Sequence, residues 1–293
     1  MEQSDRCNEA LGYVTGESGV RDPARAAEIF RELADEGYVP RSRANEVAGK
    51  AAEGGHAAAM FRLAEIISGE GEDQVAAREL FLKSAEAGFP AAFSPAGDML
   101  FYGIGGPQIP EDAFGWYALA STEGDPVAMF KAGYMLENGV GTAADPDGAV
   151  ELFRMSAEGG LPEGAFKMAT LAHEGRIPGG SKECARWYSL CSEMGYPAAD
   201  FNLATMYYEG DGVERDVEKA FALYSKVAET GDGDACMMVG RMYLEGIGTT
   251  QNTDEGLKMI GRAAAAGNQM ALQFMDGIRR RQNTQMVRID GTE

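Results

Sequence analysis

Small, bulky and polar positions recur along this chain with a fixed step. Gly88, Gly124, Gly160, Gly195, Gly231 and Gly267 are separated by 36, 36, 35, 36 and 36 residues, and their surroundings line up in columns. Eleven residues before the marker glycine stand Ala77, Ala113, Ala149, Cys184, Ala220 and Gly256. Three before it stand Ala85, Ser121, Ala157, Ser192, Ala228 and Ala264, and four after it Ala92, Ala128, Gly164, Ala199, Ala235 and Ala271. Every one is small, and helices approach to ~8 Å only where the side chains at their crossing are small. Two other columns supply the bulk that fills the space between layers. Eight before the glycine come Leu80, Trp116, Leu152, Trp187, Leu223 and Met259; seven before come Phe81, Tyr117, Phe153, Tyr188, Tyr224 and Ile260. A repeat of this length predicts stacked helix pairs rather than a globular catalytic domain.

Each copy reads as two helices and two turns. A first helix is expected over residues 126–137, for example, with Ala128, Ala132, Met135 and Leu136 on one stripe. Gly103, Gly139, Gly175, Gly210 and Gly246 share a column where a left-handed C-terminal cap is expected. After a polar loop, Asp73, Asp145, Asp216 or Asn252 precedes the second helix and can accept from its free N–H groups. Asn252 and Glu255 have capping-box spacing. The loop at 175–180 lacks the usual Asp, so Ser181 is the expected cap there. Pro90, Pro126, Pro162 and Pro197 fall two residues after the marker, in the first turn of the next helix. The phenylalanines six after the marker (Phe61, Phe130, Phe166, Phe201) recur too regularly to form a site and are expected to pack.

The run from Ala199-Asp200-Phe201-Asn202-Leu203-Ala204 to Glu229-Thr230-Gly231, and the copy from Ala128 to Gly160, carry a pattern of the form A-x3-L-G, Y-x-x-G-x-G, D-x-x-K-A, A-A-E-x-G. That pattern resembles the Sel-one-like repeat, a cousin of the tetratricopeptide repeat, over about residues 10–276 in roughly seven copies. The resemblance implies a right-handed α/α superhelix that binds proteins or peptides, often as an adaptor, with no general catalytic role. It also implies that first helices line the concave face. Cysteine-rich members carry a disulfide in each repeat, but Ala199 stands where Cys191 would need its partner. A reducing compartment is therefore expected.

The expected organisation is one all-α solenoid over 1–278 and a basic tail over 279–293. Within the solenoid, repeats over 1–55 are irregular, those over 56–267 are regular, and a capping helix occupies 268–278. A second helix over 22–36 places Ala26, Ile29, Phe30, Leu33 and Ala34 in register. Residues 38–55 match only the second-helix columns and are read as one extra helix or a half-lost repeat.

Charge narrows the partners. The net charge is −20, which argues against phosphate backbones and anionic membranes and favours a protein or peptide partner. In the tail, four arginines (Arg279, Arg280, Arg281, Arg288) against Asp290 and Glu293 leave +2, and −22 elsewhere. Such an arm either frays or docks on an acidic surface of its own or a neighbouring chain, so self-association stays open. The first ten residues carry charges and no apolar core, so no signal peptide and a cytoplasmic location are expected. No run of 18 apolar residues predicts a membrane span.

Chemistry-bearing motifs are missing. The G-x-G pairs Gly103/Gly105, Gly139/Gly141, Gly210/Gly212 and Gly246/Gly248 are not completed to G-x-G-x-x-G and read as turns. No P-loop, H-E-x-x-H, C-x-x-C, G-x-S-x-G or S-x-x-K is present, and His56 and His173 have no clustered ligands. No catalytic residue, metal or cofactor is expected. Outward positions on the first helices offer a binding face instead. Arg62, Lys131, Tyr134, Lys167, Asn202, Tyr208 and Arg241 are the candidates: the cations for an acidic tail or carboxylate, the tyrosines as anchors. The expected function is a non-enzymatic adaptor; an immunity or inhibitor protein with a single client, and a hydrolase-like enzyme, are the alternatives.

Overall fold

The computed structural model describes residues 57–70 and 73–290, with isolated positions between 5 and 33. Residues 38–55 and His56 lie outside the described residues. Six helix pairs and one further helix follow in order. The first helices are α1 (Ala57–Glu70), α3 (Phe93–Tyr102, after a 3-10 turn at Pro90–Ala92), α5 (Pro126–Asn138), α7 (Pro162–His173), α9 (Pro197–Glu209) and α11 (Gly233–Glu245). The second helices are α2 (Gln74–Glu86), α4 (Pro110–Thr122), α6 (Pro146–Glu158), α8 (Gly180–Glu193), α10 (Val217–Glu229) and α12 (Thr253–Ala265), and α13 (Gln269–Asp290) closes the series. No strand occurs among the described residues. Near the start, Ala26, Ile29 and Leu33 are helical and buried, and Asp22 accepts from the Arg25 N–H, as the 22–36 helix requires.

The chain divides into two bodies, Met1–Gly159 and Gly160–Glu293. In the first, α2 and α4 each pack between their own first helix and the next one, and α6 packs on α5. In the second, α7 to α13 follow the same order. The column logic holds in both. Ala77, Ala113, Ala128, Ala220, Ala235 and Ala271 have no exposed surface. The aromatic column seven before the marker is buried from Phe81 through Tyr224, and phenylalanines about one turn into four of the first helices pack against it with their rings steeply inclined. Ring centroids are 5.7 Å apart for Phe61 and Phe81, 5.4 Å for Phe130 and Phe153, 5.5 Å for Phe166 and Tyr188, and 5.2 Å for Phe201 and Tyr224.

Caps fix where helices begin. Asp73, Asp145, Asp216 and Asn252 accept from the N–H groups of Ala76, Gly148, Lys219 and Glu255. The capping box at Asn252 is half made: its own N–H is taken by the Tyr243 carbonyl at 2.9 Å, and the Glu255 carboxylate pairs with Lys258 instead. Ser181 does not cap. Gly179 holds the N-cap position at φ 107°, and Ser181 sits inside the first turn of α8. Likewise α7 ends one residue early, with Glu174 at its C-cap and Gly175 carrying the left-handed backbone beyond it. The last helix is longer than the sequence suggests, running through the arginines to Asp290 rather than stopping near Ile278.

The second glycine of each G-x-G pair makes the closest approach in the fold. A Cβ on Gly105, Gly141, Gly212 or Gly248 would lie 2.0, 2.3, 2.1 or 2.1 Å from the carbonyl oxygen of Gln74, Pro110, Ser181 or Val217. Each carbonyl belongs to the first or second residue of the preceding repeat's second helix. The loop of one repeat thus sits on the helix start of the one before.

Gly141 and Gly175 share a left-handed backbone, at φ 68° and 71°, but only Gly141 meets a carbonyl; at Gly175 an added Cβ meets nothing within 4 Å. Alanine at either should cost about 1 kcal/mol through backbone conformation. Gly141→Ala should cost about 2 kcal/mol more through overpacking. Urea unfolding of the two variants reads the difference, and equal losses would contradict the seating contact.

Candidate interaction face on the first helices

Position ten after each marker glycine lies on the first helix, opposite the buried aromatic of its own second helix. In the first body the pair is Asp98 on α3 and Tyr117 on α4, whose hydroxyl donates to Oδ1 at 2.5 Å. Lys131, on the first helix of the next repeat, donates to the same oxygen at 2.5 Å and lies 5.3 Å from the Tyr117 ring centroid. Burial, reinforced by Asp98, pushes the Tyr117 phenol far above its ordinary pKa. One carboxylate oxygen therefore ties two repeats together, through a hydroxyl and an ammonium.

The second body repeats the arrangement with neutral groups. The Thr205 and Tyr224 hydroxyls are 2.7 Å apart. Burial raises the Tyr188 pKa; hydrogen bonds from Asn202 and Thr170 oppose it. Where the second helix offers no hydroxyl, the opposing residue turns outward. Tyr134, opposite Phe153, is 48% exposed, and Arg241, in the register of Ile260, is exposed beside Glu245 at 3.7 Å.

The structure sorts the sequence candidates accordingly. Lys131 bonds to Asp98 of the preceding repeat and lies over the Tyr117 ring, and Asn202 bonds to Tyr188 of the preceding repeat. Arg62 pairs with Glu65 at 2.7 Å and lies 5.6 Å from the Phe61 ring. Lys167 and Tyr208 are half-buried on α7 and α9, and the Tyr208 carbonyl accepts from Arg215 at 3.0 Å. Arg62, Lys131 and Tyr134 belong to the first body, and Lys167, Asn202, Tyr208 and Arg241 to the second. Tyr102 escaped the sequence reading. It lies one helical turn beyond Asp98 and is 55% exposed, in a column otherwise held by Asn138, Glu174, Glu209 and Glu245. An aromatic among those polar residues was the available signal.

A buried carboxylate also escaped. Asp200 is 1% exposed in a column whose other members include Phe93, Met129, Ala165 and Cys236. It accepts from the Ser192 hydroxyl and from Lys226 Nζ at 2.8 Å. Nearby, burial with the Asp211 charge pushes the Cys184 thiol up to about 11, and burial with Glu163 and Asp200 does the same for Cys191. The Cys191 thiol donates to the Pro162 carbonyl at 3.2 Å, as the hydroxyls of Ser84 and Ser156 donate to Ala57 and Pro126. These thiols serve as small, weak donors, and their raised pKa makes them poor nucleophiles. No group of three or more metal-ligating side chains assembles among the described residues, and none of their helices is long and apolar enough to cross a membrane.

The Sel1 repeat family model matches residues 6–38, 57–89, 96–125, 126–161, 197–232 and 233–268. The chain belongs to the Sel1 repeat family. One of the unmatched stretches, 162–196, is the copy whose loop lacks both the G-x-G pair and the Asp cap. Among solved structures, a Sel1 repeat protein from Oxalobacter formigenes is 27% identical with a TM-score of 0.62, covering 75% of this chain and 87% of that one. A protective antigen of uropathogenic Escherichia coli strains, displaying an SLR fold, aligns over 96% of this chain and 73% of its own at 23% identity and a TM-score of 0.52. An exopolysaccharide production negative regulator of Rhizobium leguminosarum bv. viciae is 38% identical over 53 residues, 18% of this chain; the match spans only 20% of that relative.

Two outcomes follow for this Sel1 repeat array. Asp98→Asn and Tyr117→Phe should each destabilise by about 1–3 kcal/mol, and the double variant by clearly less than their sum. Additive losses in a urea double-mutant cycle would contradict the shared oxygen. The cysteine shifts set an alkaline limit. Unfolded thiols ionise from about pH 9, whereas folded Cys184 and Cys191 keep their protons to about 11. The folded state therefore binds more protons above pH 9, and stability, full below that point, falls as pH rises through the window. Cys184→Ala with Cys191→Ala should flatten that decline in urea midpoints; an unchanged decline would refute the assignment.

Proposed function

We propose that this chain is a non-enzymatic scaffold that binds a segment of a partner protein along the outward faces of its first helices. The observation that carries the reading is the surface of the first body. Tyr102 and Tyr134, 55% and 48% exposed, each lie about one turn beyond their member of the Asp98–Lys131 pair on consecutive first helices. Exposed aromatics beside a half-buried ion pair match the Tyr-rich composition of interface hot spots. Membership of the Sel1 repeat family supports the same reading, because family members generally mediate protein–protein contact. Arg62 extends the proposed face within the first body, with Lys131 setting its shape; in the second body Lys167, Tyr208 and Arg241, with Asn202, occupy first-helix positions. The similar stretch of the exopolysaccharide production negative regulator from Rhizobium leguminosarum bv. viciae adds a regulatory role as one form such binding could take.

The ion pair changes which variants are informative. Lys131→Glu would set two carboxylates together and disturb the stacking as well as the surface. Tyr102→Ala with Tyr134→Ala removes surface and leaves Asp98, Tyr117 and Lys131 in place. Once a native partner is identified by affinity capture, its affinity for this double variant should fall by about tenfold or more in calorimetry. The melting temperature should stay within a degree or two of the parent. Unchanged affinity would discard the site, and turnover of any substrate by the purified chain would discard the scaffold reading.

A further inference from the structure

The second helices carry a surface that the first-helix reading does not use. Between α2 and α4 runs an open groove of about 450 Å3 lined by Leu82, Leu100, Ile109 and Trp116, with Leu119 45% exposed at its edge. Exposed Glu86, Glu111 and Asp112 line it as well. The groove exists because of Gly115. Trp116 and Trp187 hold the same repeat position, yet Trp187 is 3% exposed, with the Arg186 guanidinium 5.1 Å from its ring centroid. Before Trp116 stands Gly115, where an added Cβ would meet nothing within 4 Å, and the indole stays half-open.

The exposed charges that line this groove are all acidic, and the nearby Lys83 on α2 is paired with Glu79 at 2.7 Å. From residue 84 to residue 130 the chain has six acids and no Lys, Arg or His. Arg78 lines the groove but is 8% exposed, and it donates to the carbonyls of Met99 and Ile104 at 3.3 and 3.4 Å. An apolar floor with a purely acidic rim calls for an occupant that is apolar on one side and cationic nearby.

The chain itself holds such an element. On α13, Met270 and Phe274 lie one turn apart and are 57% and 38% exposed, and Arg279 and Arg280 follow, also exposed. Four arginines against Asp276 and Asp290 give this helix +2 in a chain of −20. Nor is α13 shaped for another repeat. Earlier first helices place Gly97 or Gly133 against Tyr117 or Phe153, where even a Cβ would come within 2.7 or 2.9 Å; the equivalent residue on α13 is Asp276.

We propose that the groove between α2 and α4 receives the C-terminal helix of a second copy of this chain. Met270 and Phe274 enter against Trp116 and Leu119, and the arginines meet Glu86, Glu111 and Asp112. Because groove and helix lie on the same chain, every copy both offers and accepts the contact.

Sedimentation equilibrium of the full chain over a range of concentration and salt tests this. The expected result is a mass above the monomer that falls back toward it at high salt, as screening weakens the pairing. Gly115→Arg, which covers Trp116 as Arg186 covers Trp187, and Phe274→Asp should each weaken self-association by about tenfold or more at unchanged melting temperature. The charge reversals Glu111→Lys/Asp112→Lys and Arg279→Glu/Arg280→Glu should each weaken it alone and associate with one another when mixed. A wild-type chain that stays monomeric at every concentration overturns the proposal. So does self-association indifferent to both Gly115→Arg and Phe274→Asp, or a groove that is filled only by another protein. Phe274 is exposed on a terminal helix, so its substitution remains informative should Gly115→Arg alter the fold.

Discussion

A hydrogen atom, where any other residue would carry carbon, sets the spacing of this array. At Gly105, Gly141, Gly212 and Gly248 the backbone of one loop lies against a carbonyl at the start of the preceding repeat's second helix. No side chain fits between them. The other regularities are consequences of that approach. Alanines line the crossings because the helices are drawn close, and the aromatic column fills the volume that remains between layers. Each repeat touches only its neighbours, so the seating recurs along the stack, at Gly105, Gly141, Gly212 and Gly248, and is missing only from the 175–180 loop among the G-capped loops from 103 to 248.

Polar groups add selectivity to that packing. A tyrosine hydroxyl buried between helices needs a partner, because an unsatisfied one costs about 1–3 kcal/mol. The first helix supplies it opposite each tyrosine, through Asp98, Thr170 or Thr205, and the next repeat adds Lys131 or Asn202 in two of the three cases. The same positions become surface where the second helix carries Phe153 or Ile260. The division between internal bonding and available surface is therefore set by one hydroxyl per repeat. It leaves Tyr134 and Arg241 pointing away from the core, with Tyr102 beyond Asp98.

Much of this was legible in the sequence. The small and bulky columns, the Asp and Asn caps at Asp73, Asp145, Asp216 and Asn252, and the all-helical architecture follow from periodicity. Periodicity shows that a position must be small without showing what it touches, so Gly141 read as a turn residue and its seat on Pro110 stayed hidden. Outwardness likewise shows a face and not a partner. Lys131 was legible as a cation on that face, but its bond to Asp98 joins residues 33 apart on different repeats. Ser181 misled because two left-handed glycines, Gly179 and Gly180, bring the chain into α8 without a side-chain cap. The end of α13 misled because charge contrast suggested a boundary. The residues after Ile278 are mostly good helix formers with no Gly or Pro before Gly291, so the helix continues through them.

The central claim is that partners meet this chain on its first helices, between Tyr102 and Tyr134. Site-specific photo-crosslinking tests it most directly, with a benzoylphenylalanine placed at residue 134 in cells that express the chain and, as a control, at residue 222 on the exposed side of α10. The account predicts a discrete adduct with another protein from position 134 and none from position 222. A folded chain that yields no adduct at 134, or the same adducts from both positions, would contradict it.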